Sequence, residues 1–149
     1  MLTTEQYERL YQVLLAADYG NRDLDADMIE ALGSSVKRAQ DKGYCWRYLD
    51  HHYGRNVWCA LPRISTDMAA AMRWSNAMIG SDWRMVIWSP APRNLLLDAP
   101  VMHRHAAAIT PAATDMDMKI YALSAATPAL AICRSLIRHV WSHQGAKAA

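Results

Sequence analysis

The sequence contains no phenylalanine, so its six tryptophans and seven tyrosines are its only large aromatic side chains. Both residue types carry a polar group on the ring, which suits half-exposed positions on a sheet face or at an interface. A neutral compositional bias explains the absence equally well. Cysteine is also scarce, with three residues far apart. This spacing excludes a secreted disulfide framework, so we expect Cys45, Cys59 and Cys133 to be small buried thiols.

Long apolar runs and runs of like charge are missing as well. No stretch approaches the roughly 18 consecutive apolar residues that a membrane span requires, and the first residues lack the pattern of a signal peptide. We therefore predict a cytoplasmic protein without a membrane partner. The 16 basic and 14 acidic residues are interspersed, so the basic footprint of a protein that binds extended nucleic acid is absent.

The remaining composition is that of one globular domain. A chain of 149 residues with 52% hydrophobic residues can bury a cooperative core without disulfides or a structural metal. We predict a single domain over residues 1–145 and a frayed tail over 146–149. No nucleotide-binding glycine pattern and no nucleophile elbow occur, so we predict no cofactor and favour a protein that is not an enzyme.

Apolar residues at helical spacing predict four helices, at 5–18, 25–32, 67–79 and 128–145. Thr3 with Gln6 forms a capping box at the first helix. Ser65 or Thr66 is expected to cap the third, and Thr127 precedes a proline at the first position of the fourth.

Other residues are predicted to stabilise the ends of the second helix and to form the apolar side of the third. The carboxylates of Asp23, Asp25 and Asp27 are interpreted as partners of the dipole of the second helix, and Gly33 as its C-terminal cap. The apolar side of the third helix is predicted from its methionines and alanines, at Met68, Ala71, Met72 and Met78.

Alternating residues predict a strand at 44–49, and further strands are expected at 57–61, 83–88 and 119–123. The apolar runs at 95–97 and 106–109 could each supply a short strand. The first two strands are expected to pair as a hairpin through a turn at 51–56, after a polar, solvated connection at 34–43. Residues 89–116 are interrupted by four prolines and are the least regular part. The predicted fold class is α+β, an antiparallel or mixed β-sheet with helices packed on it.

Four segments carry a family resemblance. Gly20–Gly33, GNRDLDADMIEALG, and Ala126–Arg138, ATPALAICRSLIR, resemble the opening and closing segments of the phage α-β-α sandwich domain family. Pro62–Met72 and Gly80–Val86 are similar to its intervening helix start and strand, although Ile64-Ser65 replaces the expected Tyr-Thr. The resemblance implies an α-β-α sandwich and a phage or prophage protein. These motifs are caps, turns and apolar stripes, so they imply no activity.

Two histidines form the best metal-like fragment. His103 and His105 alternate, so on a strand both imidazoles would share one face. A third ligand would have to come from His51, His52, Asp115 or Asp117. Because two histidines in a loop are more often solvated, we predict no metal site.

Arginines interleaved with tryptophans form the candidate binding site, which comprises Trp46, Arg47, Trp58, Arg63, Trp83, Arg84 and Trp88. These residue types grip nucleotides by stacking and phosphate pairing, and they are enriched at protein interfaces. A solvated strand face explains the same pattern.

Three functions remain open from the sequence. The leading hypothesis is a non-enzymatic phage accessory protein in the cytoplasm of the bacterial host, which inhibits a host or defence protein. The second is a homo-oligomer that sequesters a small nucleotide signal. The third is a small metal-dependent hydrolase that uses His103 and His105.

Overall fold

A computed structural model describes residues 2–38, 46–52, 55–96, 99–113 and 122–148. Within these ranges the chain forms an α+β domain, which confirms the predicted class. The elements in chain order are α1 (Thr4–Ala16), α2 (Arg22–Ala31), β1 (Val36–Lys37), β2 (Arg47–His52), β3 (Arg55–Ala60), α3 (Met68–Ile79), β4 (Trp83–Trp88), a 3-10 turn (Arg93–Leu95), β5 (His105–Pro111), β6 (Leu123–Ala125) and α4 (Pro128–Ala148).

The described strands form two antiparallel sheets of three strands, ordered β1-β2-β3 and β4-β5-β6, where the sequence predicted one sheet. The predicted hairpin is confirmed as β2 and β3, which pair from Arg47 opposite Ala60 to His52 opposite Arg55. The strands therefore extend into the predicted turn at 51–56. Within the connection at 34–43, which was predicted to be polar and solvated, Val36–Lys37 forms β1 and pairs with β2.

The ends of α1 and α2 follow their local caps. The Thr3 hydroxyl accepts the Gln6 N–H and the Gln6 side chain accepts the Thr3 N–H, so the capping box is confirmed. At the end of α2, Gly33 has a φ of 99°, and its N–H and that of Ser34 donate to carbonyls of the last turn. This left-handed cap is the conformation for which glycine is suited.

Helix α4 forms the centre of the core. Its start is the predicted one, because the Thr127 hydroxyl accepts the Leu130 N–H at 3.2 Å and the helix begins at Pro128. All residues from 129 to 137 are buried, so this half of the helix is covered on every side and does not present a single apolar stripe. The helix continues through Gly145, where its end was predicted, to Ala148.

The burial of α4 includes a guanidinium. Arg134 is only 5% exposed. It donates a hydrogen bond to the Ser124 carbonyl and lies 4.7 Å from the ring centre of Tyr11. Burial therefore lowers the pKa of Arg134.

A buried polar cluster joins α2 to the segment before α3. The Asp25 carboxylate is fully buried and accepts the Ser65 N–H at 2.8 Å and the Ser65 hydroxyl at 2.6 Å. Arg22 donates to the same carboxylate at 2.7 Å and to the Leu61 carbonyl at 2.7 Å. We call Arg22, Asp25 and Ser65 the Asp25 cluster. Asp25 lies in the first turn of α2, where the sequence placed it as a partner of the helix dipole, and its carboxylate also holds two segments together.

The Asp25 cluster explains two further features of the chain. A Cβ on Gly20 would overlap the Ser65 carbonyl, so glycine at this position permits a close approach of the two backbone segments. Because the Ser65 hydroxyl bonds to Asp25, it does not cap α3. Asp67 is the cap, accepting the N–H groups of Ala69 and Ala70. The predicted cap at Ser65 or Thr66 is therefore wrong.

Two other predictions fail in detail. Met68 and Met78 are 46% and 39% exposed, and α3 instead buries Ala70, Ala71, Ser75 and Ile79. Near 95–97 the described residues form the end of a 3-10 turn, where a strand was predicted. The strand predicted at 106–109 is confirmed within β5, whereas 119–121 lies outside the described residues.

Among the described residues, no helix has the length and apolarity to cross a membrane.

Candidate partner-binding surface

The pairing of the first sheet separates its residues into two faces. Side chains directly opposite one another share a face, and neighbours along a strand alternate between faces. Lys37 lies opposite Arg47, which in turn lies opposite Ala60, and Leu49 lies opposite Trp58. These five residues form one face, which we call the outer face.

The opposite, inner face packs on the core. Val36 and Tyr48 are paired and both contact the hydrophobic core, as does Trp46. The Tyr48 ring meets Trp74 edge-on at 5.1 Å, and its hydroxyl donates to Asp50 at 3.3 Å. Burial, reinforced by the Asp50 charge, raises the pKa of Tyr48 to about 12. Packing thus occupies Trp46 and Tyr48.

The outer face combines cations with an aromatic ring. Lys37 and Arg47 are exposed, while Leu49 and Trp58 are half-buried. The Lys37 Nζ lies 4.2 Å from the centre of the Trp58 ring, a cation–π contact. The Arg47 side chain makes no hydrogen bond or ion pair with the described part of the chain, and no described carboxylate lies on this face. The outer face is therefore positively charged around a tryptophan.

The second sheet holds three other candidate residues, again on two faces. The Trp83 ring meets the imidazoles of His139 and His143 on α4 edge-on. Arg84 and Trp88 share the other face, where Arg84 Nε donates to the Thr110 hydroxyl at 3.2 Å. Burial, aided by His143, lowers the pKa of His139 to about 4.

The seven candidate residues therefore do not form one site. Arg47 and Trp58 share the outer face of the first sheet, and Arg84 and Trp88 share a face of the second. Trp46 and Trp83 point inward in their sheets, and Arg63 lies exposed in the loop before α3. Sequence reasoning missed Lys37, because a strand of two residues has no alternation to detect. Whether any of these residues binds a partner stays a prediction.

The two candidate metal ligands, His103 and His105, form hydrogen bonds with different parts of the fold. His103 is 2% exposed, donates from Nε2 to the Leu15 carbonyl at 3.1 Å and accepts at Nδ1 from the Ser124 hydroxyl at 3.0 Å. His105 instead bonds the Ser89 hydroxyl through Nδ1 at 2.8 Å. Because both nitrogens of His103 are occupied, the geometry does not support an ion shared by the two histidines.

Asp115, Asp117 and the side chains of His51 and His52 lie outside what the structure describes. Across the described ranges, no three histidine, cysteine or acidic side chains converge in a way that could hold a metal ion.

The described cysteines differ in their surroundings. Cys133 is buried as expected and its thiol donates to the Ile64 carbonyl at 3.3 Å. Burial, with the Asp25 charge nearby, strongly raises its pKa, so it is not a nucleophile at neutral pH. Cys59 is only half-buried, on the inner face of the first sheet, and Cys45 lies outside the described residues.

Comparison of the chain with protein-family models, curated proteins and solved structures found no match. The likeness to the phage α-β-α sandwich family therefore stays a prediction based on the segments quoted above. No relative supplies a role for any residue, so the function must be argued from the surface itself.

Proposed function

We propose that this chain is a non-enzymatic binding protein that holds an acidic protein surface against its outer face. In keeping with the sequence resemblance, it would be a phage or prophage accessory protein in the cytoplasm of the bacterial host, and its partner would be a host or defence protein that it inhibits. The observation that carries the proposal is the composition of the outer face, with Lys37 and Arg47 beside Trp58.

The chemistry of this face suits a protein partner. Tryptophan and arginine are the residues most enriched at energetic hot spots of interfaces, and positive charge steers an acidic partner into contact. The contact between Lys37 and Trp58 already orients both side chains, so less conformational entropy would be lost on binding.

The same contact disfavours the nucleotide alternative. The Lys37 ammonium lies over the face of the Trp58 ring, which is the surface on which a base would stack. A nucleotide approaching from that side would have to displace the ammonium first. A protein carboxylate can instead pair with Lys37 or Arg47 while the ring stays in place.

The proposal is tested by a photo-crosslinking amino acid at Leu49, in the middle of the outer face. We expect capture of an acidic partner in host cells, reduced about tenfold or more by the double variant Lys37→Glu, Arg47→Glu, since like charges oppose association. The control is Arg9→Glu, Arg93→Glu, which reverses two exposed arginines elsewhere. Equal capture by both double variants would contradict the proposal.

A second measurement distinguishes a nucleotide ligand from a protein partner. Thermal-shift assays with cyclic and linear nucleotides are expected to produce no stabilisation. If a nucleotide stabilises the wild type but not Trp58→Ala, the outer face binds a small ligand and not a protein partner.

A further inference from the structure

Two histidines of α4 and a tryptophan of β4 form a compact cluster, apart from the outer face. His139 and His143 are four residues apart, so they occupy the same side of the helix on successive turns. Their ring centres are 4.1 Å apart. The ring centre of Trp83 lies 4.7 Å from that of His139 and 5.0 Å from that of His143, nearly perpendicular to both.

The hydrogen bond of His143 determines which of its nitrogens is free. Nδ1 lies 2.8 Å from the His139 carbonyl oxygen, and a carbonyl can only accept, so Nδ1 carries the proton. In the neutral ring, the lone pair of His143 is therefore on Nε2. A histidine that binds a metal typically donates its other ring N–H to a carbonyl or carboxylate, which fixes its orientation. His143 has this arrangement.

The solvent exposure of the pair also suits a ligand. His143 is exposed and His139 is half-buried, so solvent reaches both residues. Trp83 packs against both rings and provides an apolar wall. His103, by contrast, has both nitrogens bonded inside the fold.

We propose that His139 and His143 together bind one transition-metal dication, with water at its remaining coordination positions. Two histidines at this helical spacing form the imidazole pair of helix-borne zinc sites. Imidazole favours Cu²⁺, Ni²⁺ and Zn²⁺ over Mg²⁺ and Ca²⁺, and Cu²⁺ is expected to bind most tightly. The function proposed above does not depend on this site.

The experiment is a titration of the full chain with CuCl₂, followed by tryptophan fluorescence and by calorimetry. Cu²⁺ quenches an indole at contact distance, so we expect quenching through Trp83 and a stoichiometry of one ion per chain. In His143→Ala, and likewise in His139→Ala, affinity should fall on the order of 100-fold, because the second imidazole acts at high effective concentration. The matched control, His105→Ala, should bind like the wild type.

Two further variants keep the test decisive. His143→Gln changes an exposed residue and is expected to stay folded by circular dichroism, so its loss of binding would not reflect unfolding. Trp83→Phe should bind Cu²⁺ with the wild-type heat but with less quenching, which would locate the ion beside Trp83. Unchanged affinity in the histidine variants, equal loss in His105→Ala, or one ion per two chains would overturn the site.

Discussion

The Asp25 cluster and the outer face use similar residue types in opposite ways. In the cluster, Arg22 and the Ser65 hydroxyl bond a carboxylate that is fully buried. On the outer face, Lys37 contacts a half-buried ring, and Arg47 is exposed. A polar group whose partners lie inside the fold stabilises that fold. A cation left exposed beside an aromatic ring contributes little to stability and is available to another molecule.

The strongest test of this contrast is to break the cluster with Asp25→Ala. The variant removes a fully buried carboxylate that accepts bonds from Ser65 and from the half-buried Arg22. Because these donors lose their acceptor, we expect a loss of about 3 kcal/mol in the free energy of unfolding. Urea denaturation measures this loss. The control is Asp23→Ala, whose exposed carboxylate pairs with Arg38 at 3.5 Å and should change stability by less than about 0.5 kcal/mol. Similar losses in both variants would mean that Asp25 does not join the two segments.

Trp58→Ala tests the other half of the comparison, which is the role of the outer face in binding. Truncation of an interface tryptophan is expected to cost about 2 kcal/mol or more of binding energy, measured by calorimetry against the partner captured through the outer face. The matched control is Trp88→Ala, which removes a half-buried tryptophan from the second sheet. Equal binding losses would argue that the interface is not confined to the outer face.

His103 extends the comparison to a second buried polar residue. We expect His103→Ala to lose about 1–3 kcal/mol of stability, because the Ser124 hydroxyl and the Leu15 carbonyl each lose a partner. Chemical denaturation at neutral pH measures this loss. His105→Ala, which removes the Ser89 contact at a half-buried position, should cost less, and the reverse order would contradict the structural role of His103.

The stability contribution of His103 should also depend on pH. Burial is the main cause that lowers its pKa below the ordinary value of 6.5, with Arg134 adding to it, whereas the Leu15 carbonyl and Asp18 oppose it. The unfolded chain therefore binds this proton more readily, so the contribution is present above about pH 6.5 and is lost as pH falls through the folded-state pKa. In His103→Gln this part of the acid destabilisation should be absent, measured as the wild-type minus variant difference at several pH values.

The smallest effect is expected for Arg47→Ala. Its side chain has no ion-pair partner among the described residues, so stability should change by no more than about 0.5 kcal/mol. Binding to the captured partner should weaken modestly at low salt and less at high salt, because an exposed charge is screened. A large loss of stability would contradict this expectation, because it would mean that Arg47 has a structural role, as the residues of the Asp25 cluster do.

Local patterns predicted much of the fold, because their physical causes lie within a few residues. The cap at Thr3, the left-handed glycine at Gly33 and the Thr127-Pro128 start of α4 each depend on neighbouring backbone groups. The strand at 83–88 was predicted with its observed bounds. Where the deciding contact was distant, prediction failed: Ser65 resembles a helix cap, but its partner Asp25 lies 40 residues earlier in the chain.

The sequence predicted which residue types form the candidate site, but not which of these residues lie together. Arginine and tryptophan were recognised as binding residues, and strand alternation alone already separates Trp46 from Arg47. The addition of Lys37 and the division into two sheets depend on which strands pair, which is decided by packing across the whole domain. The spacing of His139 and His143 was visible in the sequence, but the Trp83 wall beside them was not.

The sequence by itself determined the α+β class, the existence of the four helices and the caps at Thr3, Gly33 and Thr127, because caps, turns and hydrophobic periods act over one or two turns of chain. Only the tertiary structure decided that α4 is buried around its first half, that Arg134 and Asp25 are core residues, and that Arg47 and Trp58 face outward together. Those outcomes depend on which distant surfaces exclude water from one another, and burial of that kind is a property of the assembled chain.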